Sequence, residues 1–177
     1  MFEETLFIVD GYNVIRNHPR YQKLRSKNLE VARVRLTEDL VDFAALTGAR
    51  VFVVFDGSKG TSKKAQTTKC LGVEVWFSAK GETADQVIEK LAYQFRSESR
   101  KEGQIRVVTA DYDLQKTVFQ KGILRWNPKE MVDEMITLKE AVLPEPEKKR
   151  EAVIEDQLEE KVKKALREFF KEEGEED

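Results

Sequence analysis

The sequence predicts an α/β fold with a mostly parallel sheet of four to five strands. Four consecutive apolar residues at 6–9 indicate a strand that is covered on both faces, because a half-exposed strand would alternate apolar and polar residues. A second, largely apolar run at 50–55 follows an amphipathic helix, so that strand, helix and strand form a right-handed βαβ unit. An aspartate follows both runs, and open parallel sheets bind their ligands at the carboxyl ends of the strands.

The other elements follow from apolar spacing, helix caps and turn residues. Asn28 and Gly48 are the predicted N-cap and C-terminal residue of the first helix. The predicted strands span 6–9, 50–55, 73–77, 105–110 and 123–126, and the predicted helices span 29–47, 83–101, 112–121 and 128–140. We expect residues 16–28 to be irregular. Residues 57–70, which are rich in Gly, Ser, Thr and Lys, are expected to form a mobile basic loop.

Two prolines, Pro144 and Pro146, separate a C-terminal segment from the rest of the chain. We predict one domain over residues 1–143, followed over 144–177 by a charged amphipathic helix and an acidic tail. The apolar stripe of this helix has to pack on the domain or mediate self-association. The stripe comprises Val153, Ile154, Leu158, Val162, Leu166, Phe169 and Phe170.

Composition excludes several classes of protein. The net charge is −2 and is uneven, because 13 acidic and 8 basic residues follow Pro144 while the first 144 residues carry a net charge of +3. One cysteine and one histidine exclude an internal disulfide and a multi-histidine zinc site. No apolar stretch approaches the roughly 20 residues of a membrane span, and a core strand begins within a few residues of Met1. We therefore expect a cytoplasmic protein without a membrane partner.

Acidic side chains follow three of the predicted strands. Asp10, Asp56 and Asp111 share the carboxyl edge of the sheet if the strands are parallel. Glu82 and Asp85 lie three residues apart at the start of a predicted helix, which puts both on one helical face. Clustered carboxylates repel one another, and Mg²⁺ or Mn²⁺ can neutralise them because hard cations prefer oxygen ligands. The pattern predicts a site for one or two such ions, where a metal-activated water can attack a phosphodiester.

Each of these acids also has a structural explanation. Aspartate is common in turns and acidic residues stabilise helix N-termini, so any single position is as consistent with a turn or a cap as with a metal ligand. Three strand-end aspartates in one small domain favour the metal site. We predict Asp10, Asp85 and Asp111 as ligands, with Glu82 beside them.

Neighbouring polar residues are assigned supporting or surface roles. Asn13 can supply a neutral oxygen or orient Asp10, and Asp56 can support the site from the second strand. Glu89 and Asp113 are expected to be solvated surface acids.

Basic residues near the same edge are candidates for holding nucleic-acid phosphates. A lysine-rich run without interleaved aromatic residues is by itself usually a solvated loop, so its position between two strands that lead to the acid edge is what favours binding. The candidates are Arg16, Lys59, Lys63, Lys64, Lys69 and Lys80. Tyr12, Phe77 and Trp126 are expected to pack in or around the core rather than to stack on bases.

Four sequence blocks occur in the order of a known family. They are Asp-Gly-Tyr-Asn at 10–13, Val-Val-Phe-Asp at 53–56, Gly-Glu-Thr-Ala-Asp at 81–85 and Val-Val-Thr-Ala-Asp at 107–111, with Gln115 four residues further on. Over residues 4–142 the sequence resembles the YacP-type NYN domain family of PIN-like nucleases. The resemblance implies a three-layer α/β/α fold, an acid site for Mg²⁺ or Mn²⁺, and endoribonuclease activity on messenger RNA with the ribosome as a partner.

Carried over by position, this resemblance implies that the catalytic and metal-binding acids are Asp10, Glu82, Asp85 and Asp111. Asn13 and Asp56 would support them. Ala110 stands where family members often have a small hydroxyl residue, which would remove one hydrogen bond behind the site.

Two other functions remain open. The run Asp111-Tyr112-Asp113 suggests a phosphatase or a Toprim-like phosphoryl-transfer domain. The phosphatase would need a second aspartate two residues after Asp10, where Tyr12 stands. The Toprim-like domain would need a glutamate at the end of the first strand. The other function is that of an RNA- or ribosome-binding adaptor with a vestigial acid site, against which the complete set of acids argues.

Overall fold

The computed structural model describes residues 5–57, 63–64, 66–98, 103–119, 123–142, 160, 163–164 and 166–168. The strands in these ranges are β1 (Leu6–Asp10), β2 (Arg50–Phe55), β3 (Gln66–Cys70), β4 (Val73–Phe77), β5 (Ile105–Val108) and β6 (Leu124–Trp126). They form one sheet in the order β3-β4-β2-β1-β5-β6, in which every neighbouring pair is parallel except β3–β4. The predicted mostly parallel sheet is therefore confirmed, with β3 as an additional edge strand.

The helices of the described ranges are α1 (Gly11–Asn17), α2 (Pro19–Arg25), α3 (Leu29–Thr47), α4 (Ala84–Glu98), α5 (Tyr112–Phe119) and α6 (Pro128–Val142). Helix α3 has the predicted limits, because the Asn28 side chain accepts a hydrogen bond from the backbone N–H of Glu30 at 2.7 Å and Gly48 ends the helix at a φ of 71°. None of these helices combines the length and the apolar composition needed to cross a membrane.

The prediction that residues 16–28 are irregular was wrong. Helix α1 covers the first residues of this segment and α2 covers most of the rest. The His18 side chain accepts a hydrogen bond from the backbone N–H of Arg20 at 3.2 Å, and Pro19 occupies the first helical position. These helices are only seven residues long each, which is too short for an apolar period to be visible in the sequence.

Part of the predicted basic loop is also a strand. Residues 66–70 (β3) pair with β4 along its whole length, from Gln66 opposite Phe77 to Cys70 opposite Val73. An antiparallel edge strand buries little apolar surface, so its sequence is polar and resembles that of a loop. The hairpin turns at Leu71, which has a positive φ of 42°, and Gly72.

Side chains of β1 alternate between two hydrophobic clusters, one on each face of the sheet. Phe7 and Val9 belong to the first cluster, where the Phe7 ring meets the Phe43 ring of α3 with centroids 5.2 Å apart. Ile8 belongs to the second cluster together with Ile88 of α4. Helices therefore cover both faces, which gives the predicted three layers and explains why β1 is continuously apolar.

The C-terminal segment contacts the domain at Leu166. This side chain is 1% exposed and belongs to the cluster on the α3 side of the sheet. Lys163 and Arg167 line a groove together with Val31 and Val34 of α3. We expected this segment to pack on the domain or to mediate self-association, and at Leu166 it packs on the domain. The predicted boundary at residue 143 and the rest of the apolar stripe lie outside the described residues.

Leu166→Ala is expected to lower the free energy of unfolding by about 2–5 kcal/mol, because it removes buried methyl groups and leaves a cavity. Glu168→Ala, at an exposed position in the same segment, is the matched control and should change it by less than about 0.5 kcal/mol. Urea unfolding followed by tryptophan fluorescence measures both variants. Equal stability of the two would contradict the packing of this segment on the domain.

Candidate active site

Asp10 ends the central strand β1 and begins helix α1. Its Oδ1 accepts a hydrogen bond from the backbone N–H of Asn13 at 3.1 Å, so Asp10 is the N-cap of α1. The residue after it has to be glycine, because a Cβ at Gly11 would lie 2.3 Å from Cε1 of Phe55 in β2. The turn therefore packs directly on β2 and leaves Asp10 7% exposed.

Asp111 follows β5 and has the same local role. Its Oδ1 accepts hydrogen bonds from the backbone N–H groups of Asp113 at 2.9 Å and Leu114 at 3.0 Å, so Asp111 caps helix α5. Its own backbone N–H donates to Oγ1 of Thr109 at 3.0 Å, and Thr109 is fully buried. A hydroxyl group thus supports Asp111 although Ala110 has none, because Thr109 supplies it one residue earlier.

Asn13 joins the loop after β1 to the loop after β5. Its Oδ1 accepts a hydrogen bond from the backbone N–H of Ala110 at 2.8 Å and another from Nδ2 of Asn17 at 3.0 Å. Its backbone N–H meanwhile donates to Asp10. Asn13 therefore has the orienting role that the sequence allowed, and it fixes Asp10 and Asp111 relative to each other.

The hydrogen bonds of the polar residues behind Asp111 were missed by sequence reasoning, although Thr109 and Gln115 belong to the fourth sequence block. Nε2 of Gln115 donates to the carbonyl oxygen of Thr109, and NH1 of Arg125 donates to Oε1 of Gln115 at 2.9 Å. Thr109 was detectable in principle, because a threonine that directly follows an apolar strand and stays buried needs a partner for its hydroxyl group.

A second link connects the loop that carries Asp56 to the loop that leads to Asp85 in α4. Strand β4 runs parallel to β2, so the residues after both strands lie at the same edge as Asp10. The backbone N–H of Gly57 donates to Oγ of Ser78 at 2.9 Å, and the backbone N–H of Ser78 donates to the Phe55 carbonyl at 3.1 Å. A Cβ at Gly57 would lie 2.4 Å from the Ser78 carbonyl oxygen, so this approach requires glycine. Asp85 follows in the first turn of α4.

The electrostatics of Asp10 show how closely the acids approach one another. The pKa of Asp10 is raised to about 6, mainly by burial and also by the negative charges of Asp85 and Asp111. The hydrogen bond from Asn13 and the positive charge of Arg16 act in the opposite direction. The three predicted ligands, which come from β1, α4 and the β5–α5 loop, are therefore near enough for the charges of Asp85 and Asp111 to act on Asp10.

Asp85 shows the same pattern from the other side of the site. Burial is the first cause of its raised pKa, followed by the charges of Asp111, Glu89 and Asp56, while Arg16 again lowers it. Glu89, which the sequence analysis assigned to the surface, thus acts on Asp85, and it is partly buried. Asp56 is also part of the acid edge.

Glu82 has a different environment. It lies in the turn before α4, not on the first helical turn, and its backbone N–H donates to the Ala79 carbonyl at 2.9 Å. Its carboxylate forms an ion pair with Lys90. Glu82 is not among the largest causes of the pKa shifts of Asp10 and Asp85. Its described partner is Lys90 and not another acid of the site.

The donors of this edge are chemically suited to a hard divalent cation. They are all oxygens, and the repulsion that raises the pKa of Asp10 would be relieved by a positive ion. Across the described parts of the chain, no three His, Cys, Asp or Glu side chains form a ready-made metal cage. The oxygen donors present are compatible in their chemistry with Mg²⁺, which commonly keeps several waters and is bound through one or two carboxylates.

The basic candidates are distributed unevenly around this edge. Arg16 acts on both Asp10 and Asp85, and its Nε donates to the Tyr12 carbonyl at 3.2 Å. Lys80 is exposed in the loop that leads to α4.

The lysines around β3 divide between the two ends of this strand. Lys63 and Lys64 are exposed just before β3, whose first residue pairs with the last residue of β4 at the acid edge. Lys69 lies at the opposite end of β3 and pairs with Glu74 at 3.3 Å, which places it away from the acids. Lys59 lies outside the described residues.

The fold is that of a PIN-like α/β protein, and comparison with known proteins gives the family. Residues 7–171 match the YacP-like NYN domain. The uncharacterized protein YacP of Bacillus subtilis (strain 168) is 37% identical over 139 residues, which cover 77% of this chain and 78% of that protein. The chain therefore belongs to the YacP-like NYN domain family, as its four sequence blocks predicted.

Solved structures agree with this assignment. The crystal structure of Rae1 (YacP) from Bacillus subtilis has 30% sequence identity and a TM-score of 0.66 to this chain, with 94% of both chains covered. The structure of a single-residue mutant of the same protein has 34% identity and a TM-score of 0.65, with 89% of both chains covered.

The raised pKa of Asp10 predicts a stability that depends on pH. In the folded state Asp10 binds its proton more tightly than in the unfolded chain, so stability falls as the pH rises from about 4 to about 6. In a metal-free buffer at pH 8, Asp10→Asn should therefore raise the free energy of unfolding by about 1–3 kcal/mol, because the amide oxygen still caps α1 and carries no charge. The gain should become small near pH 4, where Asp10 is protonated in the folded state and partly protonated in the unfolded chain.

Urea unfolding in EDTA at pH 4, 6 and 8 measures this difference. Asp113→Asn, at an exposed carboxylate on α5, is the control and should change stability by less than about 0.5 kcal/mol at each pH. A destabilised Asp10→Asn variant at pH 8 would contradict the repulsion inferred for this edge.

Proposed function

We propose that this protein is a metal-dependent endoribonuclease that hydrolyses phosphodiester bonds in single-stranded RNA. Messenger RNA is the proposed substrate and the ribosome a proposed partner, as the family resemblance implies. The observation that carries the proposal is the convergence of Asp10, Asp85 and Asp111 at one sheet edge, where burial and mutual repulsion raise the pKa of Asp10 and Asp85. Membership of the YacP-like NYN domain family supports it.

The ligands of Mg²⁺ or Mn²⁺ would be Asp10, Asp85 and Asp111. Glu82, three residues before Asp85, and Asp56, directly after β2, would contribute. One or two bound ions would supply positive charge to the phosphate and lower the pKa of a water molecule. In Asp10 and Asp111 one oxygen caps a helix, which leaves the other oxygen for this task.

The chain's own residues prepare the site for the substrate. Asn13, through its bond to Ala110, keeps Asp10 and Asp111 at a fixed separation, so little reorganisation is needed during the reaction. Arg16 offers a guanidinium group beside the acids and would contact the phosphate. Glu82, once released from Lys90, would orient or deprotonate the attacking water.

Exposed lysines would hold the RNA backbone on either side of the acids. Lys63 and Lys64 precede the end of β3 that pairs with the last residue of β4, and Lys80 lies in the loop that leads to α4. Contacts of these lysines with phosphates would make binding dependent on salt. Lys69 is not part of this set because it lies at the far end of β3 beside Glu74.

Substitution of the aspartates tests the proposal directly. With Mg²⁺ or Mn²⁺ present, Asp10→Asn, Asp85→Asn and Asp111→Asn should each lower the rate of RNA cleavage about 100-fold or more, because each removes a charge that acts on the reacting phosphate or its ion. Asp113→Asn should cleave like the parent protein. The assay uses end-labelled structured and unstructured RNAs, with and without ribosomes, and EDTA as the metal-free control.

The outcome also separates the alternatives. RNA binding without cleavage under every one of these conditions would contradict the nuclease proposal and indicate an RNA- or ribosome-binding adaptor. Hydrolysis of a small phosphate ester without RNA cleavage would instead indicate a phosphatase-like enzyme.

A further inference from the structure

Nearly all aromatic side chains of the described ranges are used in packing. The predictions for Tyr12, Phe77 and Trp126 are confirmed. Ring centroids lie 5.2 Å apart for Tyr12 and Phe55, 5.4 Å for Phe55 and Phe77, and 5.5 Å for Trp126 and Phe7. Of the aromatic side chains that the structure describes, Tyr93, at 64%, and Tyr112, at 75%, are exposed.

Tyr112 stands out by its position. It is the first residue of α5 and directly follows Asp111, at the edge where the acids converge. Its backbone is held on the preceding side by the bond between Ala110 and Asn13, and on the following side by the two N–H groups that Asp111 caps. A firmly anchored backbone thus presents an aromatic ring to solvent next to the candidate site.

The fold gains little from this arrangement. Burying an aromatic side chain stabilises a protein, and Tyr112 leaves three quarters of its surface in water. A small polar residue would serve equally well at the first position of α5, since the cap is provided by Asp111. The exposed ring is therefore better explained by a ligand than by stability.

We propose that Tyr112 is a stacking platform for an unpaired base next to the phosphate that is cleaved. This inference rests on the proposed nuclease function and specifies its substrate. A tyrosine face stacks on any base, so it would position RNA without reading its sequence. Because a paired base already stacks on its neighbours, Tyr112 would favour RNA that is single-stranded at the cleavage point over a duplex.

Neighbouring charges fit this binding mode. Lys116 is exposed one helical turn after Tyr112 on α5 and can accompany the RNA backbone. Arg16 lies in the last turn of α1, where it acts on both Asp10 and Asp85. The base on Tyr112 and the phosphate near Arg16 would thus belong to adjacent parts of one strand.

Binding of a short fluorescent single-stranded RNA, measured by anisotropy in EDTA to prevent cleavage, tests the role of the ring. Tyr112→Ala should weaken binding roughly 5- to 150-fold, and Tyr112→Phe should bind like the parent because it keeps the aromatic face. Tyr93→Ala is the matched control. This exposed tyrosine lies on α4, about 13 Å along the helix axis from the first residue of that helix. It should bind RNA like the parent protein.

A second comparison identifies the partner of the ring. The test uses a series of RNAs, each of which lacks the base of one nucleotide. At one position, removal of the base should weaken binding by the parent protein and should not change binding by Tyr112→Ala. Additive losses at every position would contradict stacking. Equal RNA affinities of the parent and Tyr112→Ala would also contradict stacking. If Tyr112→Ala weakened binding to ribosomes and left binding to free RNA unchanged, the ring would be assigned to a protein contact instead.

These outcomes are distinguishable from failure of the proposed function. A parent protein that binds no RNA and cleaves none contradicts both proposals. A parent protein that cleaves RNA with Mg²⁺ or Mn²⁺ while Tyr112→Ala retains full affinity contradicts the stacking role alone.

Discussion

Repulsion between carboxylates at one end of a parallel sheet is the constraint on which the rest of this structure depends. The topology gives no alternative, because β1 lies between β2 and β5 and all three strands point the same way. Residues that follow them meet at one edge, and α4 adds Asp85 to the same place. Burial at this edge, together with the charges of Asp85 and Asp111, raises the pKa of Asp10 to about 6, a cost that a fold selected for stability alone would avoid.

The chain holds these charges in place with ordinary helix caps. Asp10 caps α1 and Asp111 caps α5, each through one oxygen, so the structural explanation of these residues is confirmed and leaves their second oxygen for the proposed chemical role. Two links then join neighbouring loops across the edge, from Asn13 to Ala110 and from Gly57 to Ser78. The site is consequently built from backbone and cap geometry, which is rigid, and not from long side chains.

Much of this organisation could be predicted from the sequence, and the failures have physical causes. Apolar runs and strand-end aspartates gave the parallel sheet and the acid edge, because burial on both faces and the direction of parallel strands leave few alternatives. Strand β3 was missed because an exposed edge strand needs little apolar surface. The environments of Glu82 and Glu89 were not predictable, since spacing fixes the face of a helix but not which carboxylate meets Lys90 or Asp85.

The central claim is that Asp10, Asp85 and Asp111 act together as a site for a divalent cation. Anomalous diffraction from crystals grown with Mn²⁺ tests it most directly, because the signal locates the metal without assumptions about activity. We predict one or two anomalous peaks at the carboxyl edge of the sheet, within direct or single-water reach of these three carboxylates, and their loss in Asp85→Asn. No peak at this edge at millimolar Mn²⁺, or a peak that persists unchanged in Asp85→Asn, would contradict the account.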